Sequence, residues 1–342
     1  MTHRWDPRVT EVPALTRPVR LDNAGKNGPT RGQSRGPGWR QTSHGLYVPG
    51  TVSDESVEQR ILEQSMRITE NGAVTGWAAL RLHGGNFFDG LAPDGVTRLP
   101  VPIAAGSGRI RSHPDIDLDR SRLDADEVVV LHGIRCTKTE RALHDEMLRL
   151  EDPRERVVAV DMAAAAELTS IRRMRTYLVT RRGGRVLIAL LDLADEHSRS
   201  PAETRFRLIW VLDAGWPHPL CNRPVYDLDG HHLGTPDLLD PDRGVAGEYD
   251  GADHRTAARH TEDVRREDAF RRAGLEYVEA VGADLHHRDR VVARMEAARS
   301  RAGRMPRAWT IEPPAYLVPP PSLDERLDLR DQILRERGGS AW

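Results

Sequence analysis

Apolar and polar positions along this 342-residue chain change period several times, and each change marks an element. Val57, Ile61, Leu62 and Met66 recur at helical spacing across 54–70, with Ser53 placed to cap the first turn. Residues 73–82 continue as an Ala-rich helix, stopped by His83-Gly84-Gly85, with Trp77 as a core residue. Between about 96 and 137 the runs shorten to strands, clearest at 99–103, 128–131 and 134–137. Thr137 and Glu140 are spaced as a capping box and open the next helix. Helical period returns over 156–168, 170–180 and 186–195. Ser200-Pro201-Ala202-Glu203 is a further helix start, with Ser as N-cap and Pro at the first helical position. Leu228-Asp229-Gly230 signals a hairpin between 223–227 and 231–233. Strands at 233–239 and 245–250 flank a turn at Asp240-Pro241-Asp242-Arg243-Gly244. A highly charged helix at 256–273, a strand at 275–281 and a helix at 289–302 complete the periodic part.

The ends have little periodicity. Residues 1–43 are rich in Gly, Pro and Arg and read as a basic, partly disordered arm. Residues 39–49 read as a short β-ribbon closing on Gly45-Leu46-Tyr47-Val48. Residues 303–321 form a Pro-rich, extended linker, and 322–337 a short amphipathic helix. The expected organisation is therefore α/β in class: an arm (1–43), a smaller α+β domain (44–150), a helical connector (151–197), an α/β domain (198–302) and a tail (303–342).

Composition narrows this slightly. Hydrophobic residues make up 38% and the mean hydropathy is −0.57, as expected for ordinary cores with polar tails. No run reaches the roughly 18 apolar residues of a membrane span, and the first residues lack an apolar signal region. Two cysteines, Cys136 and Cys221, give neither a disulfide framework nor a zinc motif. A cytoplasmic location without membrane contact is the expectation. The formal net charge of −2 means that any nucleic-acid contact depends on local clustering. Lys26 and Lys138 are the only lysines, so the positive charge is arginine, a bias that GC-rich coding also produces. Arg172, Arg173, Arg175, Arg181, Arg182 and Arg185 make one cluster, read as either a solvated helix face or a phosphate-tracking patch.

Candidate chemistry concentrates at Asp237 and at Gly247-Glu248-Tyr249-Asp250-Gly251-Ala252-Asp253-His254. Strand alternation sends Glu248 and Asp250 to one face, and a tight turn brings Asp237 beside them. Such carboxylates repel and raise one another's pKa; a hard divalent cation, Mg²⁺ or Mn²⁺, resolves the conflict and can activate water. Glu203 has two readings, a capping-box partner or a member of this site. Arg255, Arg259, Arg265 and Arg266 are placed to steer a nucleic acid toward the acidic centre, although Glu262, Asp263, Glu267 and Asp268 offer them i,i+4 partners. His231 and His232 read as exposed turn residues without zinc-like neighbours.

Taken together, Glu203, Asp237, Glu248-Tyr249-Asp250-Gly251-Ala252-Asp253-His254 and Asp263-Val264-Arg265-Arg266 make residues 198–290 resemble the Vsr-related PD-(D/E)XK nuclease-like family. The resemblance implies a restriction-endonuclease-like core, a mixed sheet flanked by helices. It implies Asp237 and Glu248 as metal ligands, His254 as a proton-transfer or phosphate-contacting group and Glu203 as a further catalytic carboxylate; Asp250 joins the metal ligands on strand alternation. Two positions depart from the family pattern. Asp250 stands where the signature has Lys, and Glu279 where the family often has Arg. The Gly45-Leu46-Tyr47-Val48-Pro49 ribbon, the Thr75-Gly76-Trp77-Ala78-Ala79-Leu80 segment and Cys136-Thr137 with Arg141-Ala142-Leu143 resemble the AbiEi-type antitoxins of type IV toxin–antitoxin systems. The expectation is a metal-dependent endonuclease acting on DNA, in defence or repair. The alternatives are a non-catalytic DNA-binding regulator of the antitoxin kind, whose nuclease fold is degenerate, and a module that binds a toxin or another defence-system protein.

Overall fold

The computed structural model describes residues 5–92, 94–250 and 257–337, with the side chains of 257–264 and 283 left out of the description. The chain is mixed α/β and divides into two compact units. The first comprises 1–151, 166–184 and 327–342; the second comprises 152–165 and 185–326. The segment read as a connector thus contributes to both.

The first unit is built on a five-stranded sheet in the order Ile116–Asp119, Val101–Ala104, Ala73–Val74, Ile134–Thr137, Val128–Leu131. A separate three-stranded sheet joins Val19–Arg20, Leu46–Pro49 and Trp39–Ser43. The segment read as a partly disordered arm is therefore held in place: Val19 pairs with Tyr47, and the Val9 N–H donates to the Gly84 carbonyl at 2.7 Å. Ser56, not Ser53, caps the Val57–Ser65 helix, its hydroxyl accepting from the Gln59 N–H. The expected 73–82 helix opens with a strand at Ala73–Val74, and the helix itself is Gly76–Leu82. Thr137 is not a cap; its hydroxyl faces that of Thr75 at 3.0 Å, and Lys138 holds the N-cap position.

In the second unit a four-stranded sheet has the order Glu276–Val281, Val245–Asp250, Leu238–Asp240, Leu220–Cys221. The Leu238–Asp240 and Val245–Asp250 strands are antiparallel across the Pro-Gly turn. Val245–Asp250 and Glu276–Val281 are parallel, joined through the helix Ala257–Arg272, because parallel neighbours need a crossover. Leu238, Val245, Val278 and Ala280 pack with Phe206, Trp210, Val291 and Met295 from the helices Pro201–Leu208 and Arg288–Arg301 and the π-helical turn Ile209–Asp213. Leu239, Ala246 and Leu275 pack instead with Phe270 and Trp309.

The expected 233–239 strand is two strands. Pro236 lacks the N–H that a continuous ladder needs, so His232–Gly234 pairs with Val225–Asp227, while Leu238–Asp240 enters the main sheet. Trp309–Thr310 lies in the stretch read as linker, yet pairs with Tyr226 and Asp227. The buried Trp309 indole, 2% exposed, accounts for that attachment. No helix among the described residues is long and apolar enough to cross a membrane.

Candidate functional site

The hairpin places Leu238 opposite Gly247, which brings Asp237 level with Glu248 at the start of the shorter strand. The Tyr249 N–H donates to Asp237 Oδ2 at 2.7 Å and fixes that carboxyl across the two strands. Gly247 is required by packing: a Cβ there would lie 2.9 Å from the Phe206 ring, so the helix can press against the strand carrying Glu248.

Glu203 comes to the same end of the sheet from the first turn of Pro201–Leu208. The Ser200 hydroxyl accepts the Glu203 N–H at 3.2 Å, and Glu203 Oε2 accepts the Arg199 N–H at 2.8 Å. Its capping role is therefore real. The same oxygen also accepts from Asn222 Nδ2 at 2.7 Å. Asn222, in turn, donates its backbone N–H to the Asp237 carbonyl at 3.0 Å and its side-chain amide to the His197 carbonyl at 2.9 Å. It does so from a left-handed backbone conformation, φ 49°, which Asn tolerates better than most residues. Asn222 is a site residue that sequence reading misses. Its only signal is an Asn between Cys221 and Arg223-Pro224, where neither strand nor helix period applies.

The electrostatics follow from this crowding. Burial pushes the Asp237 carboxyl well above its ordinary value; Glu203 and Glu248 push it further, against the opposing pull of the Tyr249 N–H and of Arg266. Glu248 is 8% exposed and lies on the face that carries Ala246. Arg266 Nη2 meets Glu248 Oε2 at 2.5 Å. The arginine stem reaches it across Gly234, where a Cβ would come within 2.9 Å of Arg266 Cγ. Burial, then the neighbouring Glu248, also pushes the Tyr277 hydroxyl up.

The predicted residues are thus distributed as follows. Glu203, Asp237 and Glu248 interact electrostatically, and Asp250 lies two residues beyond Glu248 at the end of its strand. Arg266, read as a nucleic-acid contact, is turned inward to Glu248, while Arg265 is exposed. His254 and Arg255 lie outside the described residues, as does the Arg259 side chain. Glu279 pairs in register with Glu248 on the parallel neighbour.

A metal-type grouping occurs elsewhere. Among the described residues, Asp227, Asp229 and His231 are the group whose donor atoms all lie within 4.8 Å of one another; neither Asp237, Glu248 and Asp250 nor Glu203, Asp237 and Glu248 meet that condition. In that exposed hairpin Asp227 Oδ1 accepts the Asp229 and His231 N–H groups, and Oδ2 faces His231 Nδ1 at 3.0 Å. The cluster is satisfied as a turn. At the acidic centre the oxygens of Glu203, Asp237 and Glu248 are the hard donors that Mg²⁺ or Mn²⁺ takes, and the upward push on Asp237 is a conflict that a divalent cation relieves.

No family model, no curated protein and no solved structure matches this chain.

Proposed function

We propose that residues 198–302 are a PD-(D/E)XK-like domain of the Vsr-related kind, and that the protein hydrolyses DNA phosphodiester bonds with Mg²⁺ or Mn²⁺. The observation that carries the reading is Asn222. By holding Glu203 through its side chain and Asp237 through its backbone, it gathers carboxylates from a helix and a hairpin at one end of a mixed sheet. A cation bound there supplies charge neutralisation at the phosphate and a water of lowered pKa. Asp237, Glu248 and Asp250 would hold it, with Glu203 beside them as a further carboxylate. The Tyr249 N–H orients Asp237, and the Arg266 guanidinium lies beside Glu248 at the same centre. His254 is the proton-transfer group of this reading, and Arg255, Arg259 and Arg265 are its DNA contacts.

A second reading has support of its own. The Glu248–Arg266 ion pair already neutralises one carboxylate, and Asp250 stands where the nuclease signature has Lys. Both fit a DNA-binding regulator of the antitoxin kind with a degenerate nuclease fold, and the AbiEi-like features of the first unit belong to that reading. A toxin or defence partner would follow from it.

Plasmid and single-stranded DNA incubated with Mg²⁺ or Mn²⁺ separate the two. Cleavage that is lost in Asp237→Ala, in Glu248→Ala and with chelator supports the nuclease. Salt-dependent DNA binding without cleavage, and without Mn²⁺ binding by calorimetry, supports the regulator.

A further inference from the structure

The first unit contains a cavity of about 470 Å³ that the sequence reading passed over. Its wall includes the loop after the Val101–Ala104 strand, at Gly106 and Ser107, together with Asn71, Arg120, Arg122 and Arg135. The loop requires glycine for steric reasons. A Cβ on Gly106, which has φ +54°, would lie 2.3 Å from the Asn71 carbonyl oxygen, and one on Gly108 would lie 2.0 Å from Thr69 Oγ1. Gly108 donates its N–H to the Ala105 carbonyl. Among the described residues, no hydrogen bond takes up the N–H of Gly106 or Ser107. Asn71 Nδ2 donates to Ser107 Oγ at 3.0 Å, which leaves the Ser107 hydroxyl proton to point elsewhere.

The arginines complete the case. Arg135 Nε is tethered to the Gly72 carbonyl at 3.2 Å and Arg120 Nη2 to the Ile110 carbonyl at 3.4 Å. Each tether uses one donor of a five-donor fork. Neither guanidinium has a carboxylate within ion-pair distance among the described residues. The one acid of the wall, Asp124, is engaged by Arg122 at 2.7 Å. Three exposed arginines, of which Arg122 pairs with Asp124, thus line the same space as Gly106 and Ser107. Guanidinium forks match phosphate oxygens bidentately, and successive backbone N–H groups beside a left-handed residue form an anion-binding concavity. Small-molecule sites have volumes of about 300–1,000 Å³, and this cavity falls within that range.

We infer that this cavity binds a small phosphate-bearing ligand of nucleotide size. The proposal concerns the first unit alone and stands whether or not the acidic centre cleaves DNA. Titration calorimetry of the full chain at low salt, with AMP, pyrophosphate and adenosine as probes, tests it. AMP and pyrophosphate are expected to bind with dissociation constants below about 1 mM, and adenosine to give no heat. The Arg120→Gln/Arg135→Gln double variant should weaken AMP binding by about tenfold or more, while Glu248→Gln leaves it unchanged. Should the double variant not fold, Arg122→Gln, at a side chain 88% exposed, carries the same expectation at about threefold. Absence of heat with AMP and pyrophosphate at about 5 mM, adenosine binding as tightly as AMP, or equal affinity in the folded variants would overturn the proposal.

Discussion

Two clusters of buried charge, one in each unit, solve the same problem differently. In the first unit Arg141, 5% exposed, donates to both oxygens of Asp145 and to Glu127, each at 2.9 Å, and to Ser121 Oγ at 2.8 Å. The Tyr177 hydroxyl donates to the other Glu127 oxygen at 2.6 Å, and Thr75 to Asp145 at 2.6 Å. Burial alone would raise Glu127, but the Tyr177 hydroxyl and then Arg141 outweigh it and hold the carboxyl below its ordinary value. In the second unit burial, Glu203 and Glu248 act together on Asp237, with the Tyr249 N–H and Arg266 opposing, and its carboxyl is driven up. Burying charge costs stability unless the charge is paired and hydrogen-bonded. The first cluster meets that condition and reads as scaffold. In the second the opposing groups do not outweigh burial and the two neighbouring carboxylates, and perturbation of that kind is what makes the cluster a candidate site.

The largest test of this contrast is Arg141→Met. It leaves Glu127 and Asp145 buried without their shared cation, and should cost about 3–5 kcal/mol in urea unfolding. A loss under about 1 kcal/mol would remove the distinction between the clusters. Asn222→Ala comes next, at about 1–2 kcal/mol, because it removes the amide that Glu203 accepts and leaves a left-handed residue poorly suited to that conformation. Asn222→Gly relieves the backbone while still losing the amide, so it should cost less, and Mn²⁺ affinity should fall in both variants.

Smaller but of opposite sign are the pH responses. The folded pKa of Asp237 lies above its unfolded value of about 3.9, so the native state binds more protons between the two, and stability falls as pH rises through that window. Asp237→Asn keeps an acceptor for Tyr249 and should gain on the wild type as pH rises above about 4. Glu127 behaves inversely: its contribution is present above about pH 4.3 and is lost as pH falls through its lowered pKa, so Glu127→Gln should lose most at neutral pH. Denaturant midpoints at several pH values check both directions. The smallest effect is at the surface. Asp328 bridges Arg172 and Arg173 at 3.0 and 2.7 Å with every side chain partly in water, and Asp328→Asn should cost about 0.5 kcal/mol at low salt and less at high salt.

Much of the second unit was legible in the sequence because local rules and the fold agree there. Ser200-Pro201-Ala202-Glu203 caps its helix, the Asp240–Gly244 turn closes its hairpin, and Ala257–Arg272 lies where charge periodicity puts it. Side-chain alternation also predicted which face carries Glu248. The partner of Glu248 was not legible, since helical spacing cannot tell whether Arg266 turns outward to solvent or inward across Gly234. Asn222 was hidden because a single left-handed residue leaves no periodic trace. The pairings of the arm and the tail are illegible in the sequence for a shared reason. Val19 and Trp309 are held by strands distant in sequence, and low local periodicity says nothing about a partner elsewhere.

The parallel pairing of Val245–Asp250 with Glu276–Val281 sets an order of events during synthesis. The hairpin bearing Asp237 and Glu248 needs only a tight turn to close, so it can form while the crossover helix and the Glu276–Val281 strand are still inside the ribosome. Arg266 emerges later, on the crossover helix, and its docking awaits the strand that follows. A nascent chain therefore carries both carboxylates out of the ribosome before the arginine that meets Glu248. Ribosome-stalled chains ending before and after Glu276–Val281 should differ in the Mn²⁺ they retain, the shorter ones holding more.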